Sequence, residues 1–167
     1  MSSLITILLA EDNPGDVFLV RRALEKNGLR DVELVVVEEG QAALRYIERV
    51  DADDSVFSPD LALLDLNLPR ATGSRILTRI RQSRRCGAIP IIIVTSSDSP
   101  LDREAAAQLG ATSYFQKPGD LAGFMQLGQV VRDALDGKVR VAAGNQPAVP
   151  GDGAASQAGN DGIDSLK

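Results

Sequence analysis

The sequence predicts an α/β protein with a five-stranded parallel sheet covered by helices on both faces. Three observations carry this. Short apolar runs alternate with amphipathic stretches five times between Leu4 and Leu135. The runs are continuous rather than alternating in polarity, as strands buried on both faces require. Helix start and stop signals fall between them.

Each element has a local reason. Leu4-Ile5-Thr6-Ile7-Leu8-Leu9 is too short for a buried helix and rich in β-formers, so it is the first strand. Asn13 then caps a helix, with Pro14 at its first position and Asp16 in the first turn, where the helix dipole favours an acid. Val17, Val20 and Leu24 recur at helical spacing, and Asn27-Gly28 stops the helix. Val32 to Val37 is the second strand, followed by a helix through Ala43, Leu44 and Ile47 and a loop from Asp51 to Pro59. Leu61 to Leu64 is the third strand. After a loop from Asn67 to Gly73, a helix over Ile76, Leu77 and Ile80 is expected to end with Arg84 and Arg85 near its negative end and Gly87 beyond. The fourth strand is Ile89 to Thr95, with Pro90 near its start. Ser99-Pro100-Leu101-Asp102 resembles a capping box and opens a helix that runs to about Leu109 and stops at Gly110. Thr112 to Phe115 is the fifth strand. A last helix is expected to bury Leu121, Phe124, Val131 and Leu135, held by packing because Gly123 and Gly128 weaken its propensity.

Right-handed crossovers over this length select a doubly wound, flavodoxin-like (βα)5 arrangement with strand order 2-1-3-4-5. Residues 1–137 form the domain. Residues 138–167 are rich in Gly, Ala and Pro and poor in large apolar side chains. That composition cannot offset its ordering entropy, so the segment reads as a flexible C-terminal tail.

Composition limits the chemistry. The chain has 167 residues, 44% hydrophobic and 25% charged, with a net charge of −5. An acidic protein carries no general attraction for nucleic acid or an anionic membrane. No histidine is present, which excludes a Ser-His or Cys-His pair, a histidine metal site and a phosphohistidine carrier in this chain. The single cysteine, Cys86, excludes an internal disulfide and a thiolate cage. No apolar run approaches the roughly 20 residues of a membrane span. Met1-Ser2-Ser3-Leu4 lacks the basic start of a signal peptide, so a cytoplasmic protein is expected. Any metal must be held by oxygen, which points to Mg²⁺ or a similar hard cation.

Open α/β sheets bind ligands outside the carboxyl ends of their strands. Glu11 and Asp12 follow the first strand, Asp65 ends the third, Thr95 ends the fourth, and Lys117-Pro118 follows the fifth. The first and third strands are neighbours in this order, so three carboxylates converge. Their repulsion is relieved by a divalent cation. The set suits phosphoryl transfer. Asp65 can be the nucleophile, and Glu11 and Asp12 can hold the metal, completed by the backbone carbonyl of Asn67. Lys117 supplies positive charge and Thr95 a hydroxyl donor.

Glu11-Asp12, Asp65, Thr95 and Lys117-Pro118, in that order at strand ends, resemble the receiver domain of two-component response regulators over roughly residues 4 to 136. The resemblance implies a stand-alone receiver: a cytoplasmic signalling phosphoprotein, not an enzyme on external substrates. It catalyses only its own phosphorylation and dephosphorylation, with Mg²⁺ or Mn²⁺ required. Asp65 would take its phosphoryl group from a bacterial sensor histidine kinase. Tyr114, three residues before Lys117, would be the switch aromatic that turns inward as Thr95 moves toward the phosphate. Glu11-Asp12-Asn13-Pro14-Gly15-Asp16 and Leu66-Asn67-Leu68-Pro69-Arg70 further resemble the subfamily paired with phytochrome-type kinases. Some of its members dimerise through the fifth strand, last helix and C-terminal extension, and the long tail is compatible with a homodimer. The downstream protein is not named by the sequence.

Plainer readings stand beside these. Glu11 and Asp12 could be charges near a helix start, Thr95 an ordinary strand residue, and Tyr114 a half-buried aromatic without a switching role. Asp51, Asp53 and Asp54 lack calcium-loop spacing and read as a solvated loop. Cys86 reads as structural. A phosphorylation-independent scaffold is the alternative function. A dehalogenase-like phosphohydrolase is a third, but it needs a second acid two residues after the nucleophile, where this chain has Asn67.

Overall fold

A computed structural model describes residues 3–137. The tail assigned to residues 138–167 lies outside the described residues. The order of elements is β1 (Ile5–Ala10), α1 (Pro14–Lys26), β2 (Val32–Val37), α2 (Gly40–Ala52), β3 (Leu61–Leu64), α3 (Gly73–Arg81), β4 (Ile91–Thr95), α4 (Pro100–Gln108), β5 (Ser113–Gln116) and α5 (Leu121–Leu135). The strands form one parallel sheet in the order β2-β1-β3-β4-β5, as expected.

Alternate residues of each strand feed opposite layers. Leu8, Ala62, Leu64, Ile91 and Ile93 pack with Ile47 of α2 and Ile76 and Ile80 of α3. Ile7, Leu9, Leu61, Leu63, Ile92 and Val94 pack with α1 and α5 through Val20, Leu24, Phe124, Leu127 and Val131. Both faces being covered explains the unbroken apolar runs. Each fully buried Leu or Ile side chain is worth about 1.5–3 kcal/mol. Gly128 also has a packing role: a Cβ there would overlap the Ala23 carbonyl oxygen, so its absence lets α5 lie close on α1.

Several boundaries differ from expectation, each for a tertiary reason. α2 continues through Asp51 and Ala52, and α3 stops at Arg81 rather than near Arg85. Arg85 instead donates to the carbonyls of Val50 (2.5 Å) and Asp53 (2.9 Å), satisfying end groups of α2. Asp51 is no solvated loop residue: it accepts from Arg79 at 2.8 Å and from the Ser83 hydroxyl at 2.5 Å. Arg81 donates to the carbonyls of Gly87 (3.0 Å), Ile89 (2.7 Å) and Gly110 (2.8 and 3.0 Å), tying the end of α3 to two neighbouring turns. β4 begins only at Ile91, since Pro90 has no N–H to donate. β5 starts one residue late, because the Thr112 hydroxyl accepts from the Ile91 N–H (3.0 Å). Leu121 is 63% exposed rather than buried; it opens α5 and lines a groove with Phe18 of α1. Cys86 is buried against the Ser83 hydroxyl, as a structural cysteine should be.

Candidate functional site

The expected strand-end residues gather at one end of the sheet. The Asp65 N–H donates to the Ala10 carbonyl at 3.0 Å, extending the β1–β3 ladder by one bond and setting Asp65 beside Glu11 and Asp12. Carboxylate oxygens of Glu11, Asp12 and Asp65 all lie within 4.8 Å of one another. Glu11 is 2% exposed, and its Oε1 accepts from the Asn13 N–H at 3.1 Å. The Asp65 Oδ1 accepts from the Asn67 N–H at 3.0 Å.

The loop carrying Asn67 is held from behind. The Gly40 N–H donates to the Pro69 carbonyl at 3.0 Å. A Cβ on Gly40 would overlap the Ala71 carbonyl oxygen, and one on Gly73 would overlap the carbonyl oxygen of Asp65. Neither position has room for a side chain.

Lys117 arrives from the far side of the sheet. Its N–H donates to the Thr95 carbonyl at 2.7 Å, which continues the β4–β5 ladder past Gln116. Its Nζ donates to Glu11 at 2.6 Å, Asp16 at 2.8 Å and Asp65 at 2.9 Å. Burial alone would lower the Lys117 pKa. The hydrogen bonds it donates to Asp16, Glu11 and Asp65 outweigh it and hold the ammonium well above the ordinary lysine range. Burial pushes the Glu11 carboxyl up, and Lys117 pulls it back only in part. Lys117 is therefore a permanent cation at neutral pH.

Thr95 is fully buried, and its Oγ1 accepts from the Ser97 N–H at 3.3 Å. The Tyr114 hydroxyl donates to the Ser97 carbonyl at 3.0 Å, and the Arg103 guanidinium lies 4.5 Å from the centre of its ring. Ser97 thus touches both Thr95 and Tyr114. Pro118 is half-buried behind Lys117, packed near Gly123 at the start of α5.

Asp16 is the site residue that sequence reasoning missed. Its place in the first turn of α1 explains it by the helix dipole, with no contact to the strand-end residues implied. The available signal was its position four residues after Asp12, on the first turn that leaves the same strand end.

The charge balance decides what the cleft can hold. Among the described residues, Glu11, Asp12, Asp16 and Asp65 face a single lysine. The donors are oxygens, one of them deeply buried and raised in pKa. A hard divalent cation fits this set, with Glu11, Asp12 and Asp65 able to hold it. Among the described residues, no helix is long and apolar enough to cross a membrane.

Comparison with known proteins agrees with this geometry. Residues 7–127 match the family described as the response regulator receiver domain. The chain is 32% identical over 123 residues to the response regulator Rcp1 of Synechocystis sp., covering 74% of this chain and 83% of Rcp1. Among solved structures, the phosphorylated cyanobacterial phytochrome response regulator RcpA is 27% identical. It superposes with a TM-score of 0.72, covering 83% of this chain and 98% of that one. The Mn²⁺-bound form of Rcp1 is 29% identical with a TM-score of 0.68, covering 86% of this chain and 99% of that one.

Proposed function

The chain belongs to the response regulator receiver family, and on that premise we propose that Asp65 accepts a phosphoryl group from a histidine of a phytochrome-type sensor kinase. The observation that carries this reading is the Asp65 carboxylate. It stands at a strand end, bonded to Lys117, within 4.8 Å of the Glu11 and Asp12 carboxylates.

An Asp65 Oδ attacks phosphorus as the phosphorus–nitrogen bond of the donor phosphohistidine breaks. The leaving imidazole recovers its lone pair and takes a proton from solvent. Glu11, Asp12, Asp65 and the Asn67 carbonyl would hold a divalent cation, which would supply charge neutralisation for the transferred group. Lys117 stays protonated and offers an N–H to a phosphoryl oxygen. The Thr95 hydroxyl donates to another. The Thr95 Oγ1 accepts from the Ser97 N–H, and the Ser97 carbonyl accepts from the Tyr114 hydroxyl, so a shift of Thr95 toward the phosphoryl group is passed to this loop. Moving this loop therefore moves the ring, and the surface of α4, β5 and α5 changes for a protein partner or a second copy of the chain. The phytochrome-type donor is supported by the likeness to RcpA.

The test is intact mass after incubation with acetyl phosphate and Mg²⁺, on wild type and Asp65→Asn, with light scattering on the same samples. Wild type should gain one phosphoryl mass and the variant none. An unmodified wild type, with acetyl phosphate and with a phytochrome-type kinase as donor, overturns the proposal in favour of a phosphorylation-independent scaffold.

A further inference from the structure

Phosphoryl transfer as set out above gives Asp16 no task, yet Asp16 holds one third of the Lys117 ammonium. That group has three N–H donors. Glu11, Asp16 and Asp65 take one each, at 2.6, 2.8 and 2.9 Å. A phosphoryl group approaching Asp65 calls for an N–H from Lys117, and while the attacking Asp65 carboxylate keeps its own share none is spare. One of the three bonds must open. Glu11 has a side chain only 2% exposed, so it cannot exchange the lysine for water without an unpaired buried charge. Asp65 is itself the group being modified. Asp16, with a side chain 24% exposed, can take water in place of the lysine at small cost. Its bond also joins the first turn of α1 to the residue after β5, across the mouth of the cleft.

We infer that Asp16 is a positioning residue that restrains Lys117 and thereby limits the rate at which Asp65 is phosphorylated. This rests on Asp65 being the phosphoacceptor. No proton moves: the lysine exchanges one acceptor oxygen, on Asp16, for another on the phosphoryl group.

The experiment measures the initial rate of phosphorylation by quenched-flow intact mass, with Mg²⁺ present. It uses two donors, acetyl phosphate and the less negatively charged phosphoramidate. Asp16→Asn should raise the rate at low donor concentration about threefold to fivefold with both donors, the scale of one part-exposed ion pair. Asp16→Glu should return the rate toward wild type. An Asp16→Asn rate equal to or below wild type overturns the inference. So does an acceleration confined to acetyl phosphate, which would be simple relief of repulsion. A role limited to the helix dipole would lower Tm and leave both rates alone, and that result overturns it too. If wild type is not phosphorylated by either donor, the phosphoacceptor reading falls and this inference with it.

Discussion

The two ends of the sheet carry polar networks of opposite character. At the carboxyl end, the carboxylates of Glu11, Asp16 and Asp65 share one lysine, and Asp12 lies beside Glu11 and Asp65. At the other end, where α2 and α3 terminate, arginines are in surplus. Asp51 is bound by Arg79 and Ser83, Arg84 donates to its backbone carbonyl, and Arg81 and Arg85 are spent on carbonyl oxygens. Each of these arginines donates to an acceptor of the protein itself. The first network carries an excess of negative charge that an added cation would offset; the second is closed by the protein's own groups. Crowded carboxylates mark the site, and arginines spent on backbone carbonyls mark the scaffold.

The sharpest break of that contrast is Lys117→Ala. It leaves buried Glu11 without its cation, and we expect phosphorylation to slow about a hundredfold and stability to fall by about 3 kcal/mol. Mg²⁺ should raise the Tm of this variant more than that of wild type. An equal rise would show that the cation does not make up the deficit. Next in size is Arg81→Ala at the opposite end. Losing its bonds to Gly87, Ile89 and Gly110 should cost about 3 kcal/mol in urea unfolding while the phosphorylation rate holds. A slowed rate would mean that the two ends are coupled.

The smallest test uses pH, because the two ends titrate with opposite signs. Burial raises Glu11, so the folded state binds its proton more tightly than the unfolded chain does. Its contribution weakens as pH rises from the ordinary value of 4.5 through the raised one. Burial nudges Asp51 upward, but Ser83, Arg79 and Arg85 outweigh it and hold the carboxyl below its ordinary 3.8. Its contribution is present above 3.8 and lost as pH falls through the lowered value. Asp51→Asn should therefore cost about 1 kcal/mol at neutral pH, with the difference from wild type vanishing in acid. Glu11→Gln should show the reverse trend in stability curves: wild type gains on the variant as pH falls.

The same contrast explains what was legible in the sequence. Strand runs such as Leu61–Leu64 and caps such as Asn13-Pro14 and Ser99-Pro100 are local, and they appear where expected. The site residues at strand ends follow from order and topology, since a parallel sheet brings every carboxyl end to one rim. The misses are contacts between elements. Arg85 looks like the end of its own helix but serves α2, which becomes clear only when the two helices lie side by side. Leu121 fits an apolar stripe, yet α5 begins at the surface and leaves it outside. Asp16 carries two good explanations, and the helix dipole is the one visible without Lys117 in view.

Gly40 precedes Asp65 by 25 residues and Gly73 follows it by eight, and neither bears a functional group. Between them they fix the seating of the loop that presents Asn67, with clearances smaller than a methyl group. The cleft is thus machined from its rear surface. An alanine at either glycine would leave every acid and the lysine in the sequence while throwing the cleft out of true. The tolerance of this device is set by two hydrogen atoms, on residues that a search for reactive side chains would pass over.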